Sequence, residues 1–142
     1  MNSVDIQRFN ALEATLFISR IWEEMNNVVD DEPPYEIYCL CLETRDKRLS
    51  AQVKLVFFDV VYIGCSMEIF MPELTIGSWS DVSDLVPEAY QDYCVFLFKE
   101  SFRNGRQFIV ANRASIEFPE KSNKKFAKEE SRAKRQARRD GF

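Results

Sequence analysis

The chain has 142 residues, of which 46% are apolar and 13% aromatic, a composition typical of one folded domain and unlike that of a disordered chain. Its net charge of −4 combines an acidic body with a basic end: residues 1–120 hold 20 acidic and 10 basic side chains, whereas residues 121–142 hold 3 acidic and 9 basic ones. Histidine is absent, which excludes Ser-His-Asp and Cys-His catalytic arrangements and removes the commonest metal ligand.

The first helix is predicted from Asp5 to Val29. Apolar residues recur there mostly at spacings of three or four, the period of an amphipathic helix. They are Ile6, Phe9, Leu12, Leu16, Ile18, Ile21, Met25 and Val28. The acidic segment 30–34 follows and contains Pro33 and Pro34, which end a helix and predict a linker.

Three strands are predicted next, over residues 35–44, 49–63 and 65–71. The run 53–63 (VKLVFFDVVYI) is the densest apolar stretch of the chain and is rich in β-branched and aromatic residues, so we expect it to form the central strand. Both faces of these strands are apolar, and one helix cannot cover both faces of a sheet. A second cover is therefore predicted, either residues 77–92 or a partner protein.

The second half of the chain predicts further strands around an irregular insertion. Residues 73–76 can continue the third strand after a bulge, and residues 77–90 indicate a loop with one or two short helical turns. The Asn104-Gly105 dipeptide between two apolar runs is the clearest hairpin signal, because a type I′ turn favours it. The strands predicted in this half cover residues 93–102, 107–110 and 114–118.

The predicted fold class is α+β, with the N-terminal helix packed on a five- to six-stranded, mainly antiparallel sheet. Residues 1–120 are expected to form a single acidic domain, and residues 121–142 a basic tail that is helical or disordered. Four cysteines without a secretory signal indicate free thiols and a cytoplasmic protein, and no segment indicates a membrane span.

Two features are candidates for chemistry. Cys39 and Cys41 share one face of a strand, but a zinc site would also need Cys65 and Cys94, and the spacing is not that of zinc sites, so buried thiols are favoured. Asp59 interrupts the central strand: it marks a strand end, or it turns to solvent, or it is a partly buried carboxylate with a raised pKa and a function. No spacing selects a second carboxylate, so no catalytic, cofactor-binding or metal site is predicted.

The segment 77–93 combines aromatic and acidic side chains and predicts a protein-binding surface, because aromatic anchors ringed by charge are typical of interface hot spots. The candidate residues are Trp79, Asp81, Asp84, Glu88, Tyr90, Asp92 and Tyr93. An acidic surface favours a basic protein partner through long-range attraction, although solubility alone also selects such a surface.

The basic tail 121–142 favours an acidic partner instead of a basic protein. Basic termini contact nucleic acid or anionic lipid, but Glu129 and Glu130 divide this charge, and the aromatic interleaving of nucleic-acid binders is absent. The alternative is a solubilising terminus that folds back onto the acidic body.

Four short motifs are spread over much of the chain. They are Ile21-Trp22, Phe57-Phe58-Asp59-Val60, the segment from Leu74 to Trp79, and Gly105 and Phe108 followed by Ala114-Ser115-Ile116-Glu117-Phe118. Together they resemble small immunity proteins of bacterial polymorphic-toxin systems, although the basic tail is not part of that pattern. The resemblance implies a non-enzymatic, cytoplasmic, acidic α+β protein that binds and blocks a toxin domain.

Three hypotheses follow for the function. The first is a protein-binding module, in its most concrete form an immunity-type inhibitor whose carboxylates imitate the phosphates of a basic toxin's substrate. The second is an accessory or scaffold protein whose tail, residues 121–142, contacts nucleic acid. The third, ranked last, is an enzyme that uses Asp59 with a second carboxylate.

Overall fold

The computed structural model describes residues 1–26, 34–44, 53–101 and 105–118. These residues form one helix and seven strands: α1 (Ser3–Ala11), β1 (Leu16–Asn26), β2 (Tyr35–Thr44), β3 (Lys54–Gly64), β4 (Glu68–Ile69), β5 (Glu73–Gly77), β6 (Cys94–Lys99) and β7 (Gln107–Glu117). Two single turns of 3-10 helix lie between β5 and β6, at Trp79–Asp81 and Glu88–Tyr90. The predicted tail 121–142 and most of the predicted linker lie outside the described residues.

The seven strands form one antiparallel sheet in the order β4-β1-β2-β3-β7-β6-β5. β4 and β5 lie at opposite edges, yet residues 70–72 alone connect them. A flat sheet of this size would be about 29 Å wide at a strand spacing of about 4.8 Å, whereas the chain from Ile69 to Glu73 can span at most about 14 Å. The sheet must therefore curl until its edges approach. The Phe70 amide, after β4, donates to the Glu100 carboxylate, after β6, across 3.3 Å.

The long N-terminal helix predicted over residues 5–29 is wrong from the end of α1 to residue 26, and residues 27–29 lie outside the described residues. α1 ends at Ala11, Glu13 adopts a left-handed φ of 48°, and β1 begins at Leu16. The apolar spacing of this region fits a helix, but its second half is also rich in β-branched and aromatic residues. Local periodicity does not distinguish a helix from a strand in this region. The segment is a strand because it pairs with β2 along the whole of β1.

The central strand is confirmed. β3 occupies the middle position of the sheet and pairs with β2 on one side and β7 on the other. β2 has the predicted bounds, and its pairing with both β1 and β3 makes it an interior strand. The α+β class therefore holds, with the helix restricted to the first residues.

Three strand boundaries in the second half differ from the prediction. The third strand shortens to Glu68–Ile69, and residues 73–77 form β5 at the opposite edge instead of continuing it. Met71 has a φ of 40° and Pro72 has no amide hydrogen, so the chain turns between the two strands. Residues 107–117 form one strand rather than two. Seven strands thus replace the predicted five to six.

Apolar side chains pack on both faces of the sheet. The inner core lies on the face that α1 covers, and Phe9 of the helix is almost fully buried in it. Phe57 of the central strand contacts the rings of Phe96 and Phe98 edge to face, with centroids 5.1 and 6.3 Å away. These aromatic contacts join β3 to β6 across the curled sheet.

The outer core lies on the opposite face of β6 and β7. Val82 and Val86, from the segment between β5 and β6, pack there against Val95, Phe108 and Val110. Side chains alternate between faces along a strand, so β6 and β7 contribute to both cores. Residues 77–92 therefore cover the outer face of β6 and β7 together with Val61 and Tyr62 of β3, which is part of the second cover that the apolar strands were expected to need.

Candidate functional site

The segment predicted to bind a partner begins with Trp79, whose ring is partly buried against the outer core. Its indole nitrogen donates to the Val86 carbonyl across 2.9 Å, which ties the start of the segment to its middle. Asp81 accepts a hydrogen bond from the Ser78 amide at 2.8 Å and so closes the first 3-10 turn. Both candidates thus have structural roles within the segment.

Asp84 is paired with Arg106, at the start of β7. The guanidinium donates to Asp84 Oδ1 across 2.8 Å, to Asp84 Oδ2, and to the Asp81 carbonyl across 3.0 Å. This hydrogen bonding by Arg106 lowers the pKa of the Asp84 carboxyl. The pair is solvent-exposed, and its carboxylate charge is locally balanced by the arginine.

The remaining candidates divide into buried aromatic rings and exposed acids. Tyr90 and Tyr93 pack against each other edge to face at 5.4 Å and border the outer core. Glu88 and Asp92 are exposed. The three aromatic rings are therefore partly buried against the outer core, whereas all four acids are exposed and one of them, Asp84, is paired with Arg106.

Asp59 directly follows the last residue of β3 that pairs with β2. Its φ of 55° is left-handed, a conformation that aspartate adopts more readily than most residues with a Cβ. The Tyr93 hydroxyl donates to Asp59 Oδ2 across 3.1 Å, which holds this half-buried carboxylate from the covering segment. This contact joins Asp59 to a phenol, not to the second carboxylate that the enzyme hypothesis requires.

The Tyr93 phenol and the nearby Cys39 thiol are both held in their protonated forms. Burial, the charge of Asp59 and the hydrogen bond to it raise the pKa of Tyr93 to about 12. Burial and the charge of Glu24 raise the pKa of the Cys39 thiol. Neither group is a nucleophile at neutral pH in this environment, because a reactive cysteine needs a lowered pKa.

β2 and β3 separate beyond Asp59. Their register runs from Glu43–Lys54 to Cys39–Phe58, and among the described residues β3 pairs from Val60 onward only with β7. An apolar cleft of about 240 Å³ opens between the separated strands. It is lined by Ile21, Tyr38, Cys39, Val60, Val61, Tyr62 and Ile63.

The cleft exposes apolar side chains that a folded domain usually covers. Ile21 is 57% exposed, Tyr38 is 55% exposed and Ile63 is 41% exposed. They come from three different strands, and their grouping depends on the separation of β2 from β3. Contiguous exposed apolar side chains rimmed by polar ones mark interaction sites.

Carboxylates rim this cleft. The register places Glu23 opposite Tyr38 and Glu36 opposite Met25, so both lie on the cleft side of β1 and β2 and both are exposed. Arg20 is the only basic residue in β1 and β2 as described, and it points to the other face, where its guanidinium lies 4.7 Å from the Trp22 ring centroid. The cleft side of these strands is therefore acidic.

Sequence reasoning missed the cleft, although one signal pointed to it. The sequence marks Asp59 as an interruption of the apolar run, but it does not show that two strands part after this residue. Because the apolar spacing predicts a helix around Ile21, it does not predict that Ile21 lies opposite Leu40 of β2. A lone aspartate inside an apolar strand is a signal for a bulge or a bend.

The described part of the chain contains no group of three or more Cys, Asp or Glu side chains arranged to hold a metal ion. None of its helices has the length and apolar content that a membrane crossing requires. Compared with protein-family models, with curated proteins and with solved structures, the chain gives no match.

Proposed function

We propose that this chain is a non-enzymatic protein-binding module, and most concretely a cytoplasmic immunity-type inhibitor that occludes a basic toxin domain. The single observation that carries the proposal is the exposed apolar cleft between β2 and β3 with its acidic rim. Interfaces commonly combine an apolar centre with a polar rim, and charge on the rim steers the partner.

The predicted acidic segment adjoins this cleft through one contact. Tyr93 binds Asp59, which directly precedes the cleft-lining Val60. The exposed acids Glu88 and Asp92 belong to the same segment. A basic partner seated on the cleft would meet the carboxylates of Glu23 on β1 and Glu36 on β2, in the way that a phosphate backbone presents charge to a nuclease or another basic enzyme.

The direct test first asks whether the gene beside that of this chain encodes a toxin domain, as an immunity function requires, and then uses that domain. The toxin is expressed in a bacterial host with and without the full chain, and purified proteins are titrated by calorimetry. We expect growth to be restored by the chain and a complex to form. A chain that neither binds the neighbouring toxin nor restores growth contradicts the proposal.

Charge reversal tests the acidic rim. We expect Glu23→Lys with Glu36→Lys to weaken toxin binding roughly tenfold or more, because like charges then face the basic partner. Glu73→Lys is the matched control, since Glu73 is an equally exposed strand acid on β5. Wild-type affinity should also fall with rising salt, as exposed charges become screened. Equal effects of the rim and control reversals would contradict this role.

The nucleic-acid hypothesis stays a prediction, because residues 121–142 lie outside the described residues. Deleting residues 121–142 separates it from the first proposal. Loss of DNA or RNA binding on deletion, with toxin binding retained, would assign the two partners to different parts of the chain.

A further inference from the structure

We propose that the cleft between β2 and β3 is a strand-addition site, which takes an extended segment of the partner with alternating basic and apolar residues along residues 60–63. The inference rests on the proposed protein-binding function and specifies how the partner is held. Strand addition supplies affinity through backbone hydrogen bonds and specificity through alternate side chains.

The pairing of β3 provides the edge. Val60, Tyr62 and Gly64 pair with Ala111, Val110 and Phe108 of β7, which occupies one side of this part of β3. The β2 register ends at Cys39–Phe58, so in the described part of the chain the other side of residues 60–63 faces the cleft. Such a side is a template for another strand.

The separation of the strands is built into the fold. Asp59 has a left-handed φ at the position where pairing with β2 ends, and the Tyr93 hydroxyl holds its carboxylate from the covering segment. Strained residues of this kind persist where the surrounding structure holds them, and they cluster at functional sites. The edge is therefore preorganised for a ligand, which lowers the entropic cost of binding.

The charge and shape of the cleft select the occupant. Ile21, Tyr38 and Ile63 offer apolar contacts, whereas Glu23 and Glu36 line the same side of the neighbouring strands. An added strand would turn alternate residues to this face and the others to the opposite face of the sheet. Lysine or arginine fits the positions on this face, because its aliphatic stem packs on the apolar side chains while its charged end reaches the carboxylates. Apolar residues fit the alternate positions, which face the cleft-lining Cys39 and Tyr62 on the opposite side.

The probe is a short synthetic peptide of alternating lysine and valine, titrated into the full chain. We expect saturable, salt-sensitive binding and slower amide hydrogen exchange at residues 60–63. Two control peptides replace lysine with glutamate or place proline at the centre, and neither should bind. Equal binding of the glutamate peptide, or protection at the outer edge of β1 or β5 instead, would overturn the inference.

The matched variants are Ile63→Lys in the cleft and Ile76→Lys on β5. Both isoleucines are substantially exposed, at 41% and 49%, so both variants should fold, which circular dichroism and the unfolding temperature verify. We expect Ile63→Lys to weaken peptide binding roughly tenfold and Ile76→Lys to leave it unchanged. Equal loss in both variants, or loss in neither, would overturn the inference.

Two further outcomes distinguish failure of strand addition from failure of the proposed protein-binding function and of the assignment to a partner. If the toxin domain binds tightly to Ile63→Lys but not to the Glu23→Lys, Glu36→Lys variant, the protein-binding function stands and strand addition fails. If the lysine-valine peptide binds only after deletion of residues 121–142, the basic end of this chain is the occupant of the cleft. The assignment to a partner is then overturned.

Discussion

Asp59 has more structural consequence than any other single residue of the central strand. It is half-buried, it has a left-handed backbone, and β2 and β3 part directly after it. Aspartate tolerates this φ better than a β-branched residue does, because its short polar side chain can bond locally. The residue that interrupts the apolar run therefore creates the cleft.

We predict that Asp59→Val destabilises the fold by about 1–3 kcal/mol, because valine resists a left-handed φ and the hydrogen bond from Tyr93 is lost. Asp59→Asn is the control, since asparagine tolerates this φ and keeps an acceptor oxygen. Urea unfolding followed by circular dichroism measures both. Equal stability of the valine and asparagine variants would show that neither the φ nor the hydrogen bond matters.

We predict that the free energy of unfolding decreases at high pH because Tyr93 ionises. Its pKa is raised from 10.0 to about 12, mainly by burial and the Asp59 charge, so the folded protein favours the neutral phenol. The stabilising contribution is complete below pH 10 and is lost as the pH rises through about 12. Unfolding free energies measured across this window should fall less steeply in Tyr93→Phe. Identical slopes in both proteins would contradict the assignment.

At the scale of elements, the side chain of Asn10 attaches α1 to the sheet by hydrogen bonding to the backbone of β5. The Asn10 amide nitrogen donates to the Leu74 carbonyl at 3.0 Å, and its oxygen accepts from the Leu74 amide at 2.8 Å. These are the two bonds that a neighbouring strand would make to this residue of β5. The N-terminal amine of Met1 also donates to the Ala114 carbonyl of β7, across 3.3 Å.

We predict that Asn10→Ala lowers the free energy of unfolding by about 1–3 kcal/mol, because both partly buried backbone groups of Leu74 lose their partner. Gln7→Ala is the control, since Gln7 is an exposed residue of the same helix. Chemical unfolding measures the difference, and amide exchange at Leu74 should accelerate in the Asn10 variant alone. Comparable losses in the two variants would mean that the helix itself, and not the bridge, is responsible.

At the scale of the whole molecule, two cores share the strands β6 and β7 and should unfold together. The four free thiols report on this, because they differ in exposure: Cys39 and Cys41 are buried, Cys65 is half-buried and Cys94 is exposed. Burial also raises the pKa of Cys65 to about 11, which lowers its thiolate fraction at neutral pH.

We predict that a thiol reagent at neutral pH modifies Cys94 rapidly, and Cys39 and Cys41 at the rate of global unfolding. Mass spectrometry after timed labelling gives the order, and Cys94→Ser should remove the fast phase alone. Rapid labelling of Cys39 in the native protein would mean that β2 opens independently of the two cores.

Local signals in the sequence determined several elements of this protein. The bounds of β2, the central place of β3 and the short helical turns after β5 follow from period-two apolar runs, β-branched residues and proline, each of which acts over a few neighbouring residues. The same local signals left the residues of β1 ambiguous, because an apolar spacing of three or four is compatible with a strand once a partner strand is present.

The curl of the sheet, the cover by residues 77–92 and the cleft were decided by tertiary structure. The cleft depends on where pairing between Cys39 and Phe58 ends, on the backbone of Asp59, and on Tyr93 reaching that aspartate from a segment far along the chain. Contacts between residues so distant in sequence leave no periodic trace in either segment. The apolar pattern of the chain determined that a sheet with two covered faces would form, and long-range pairing decided which part of it stayed open.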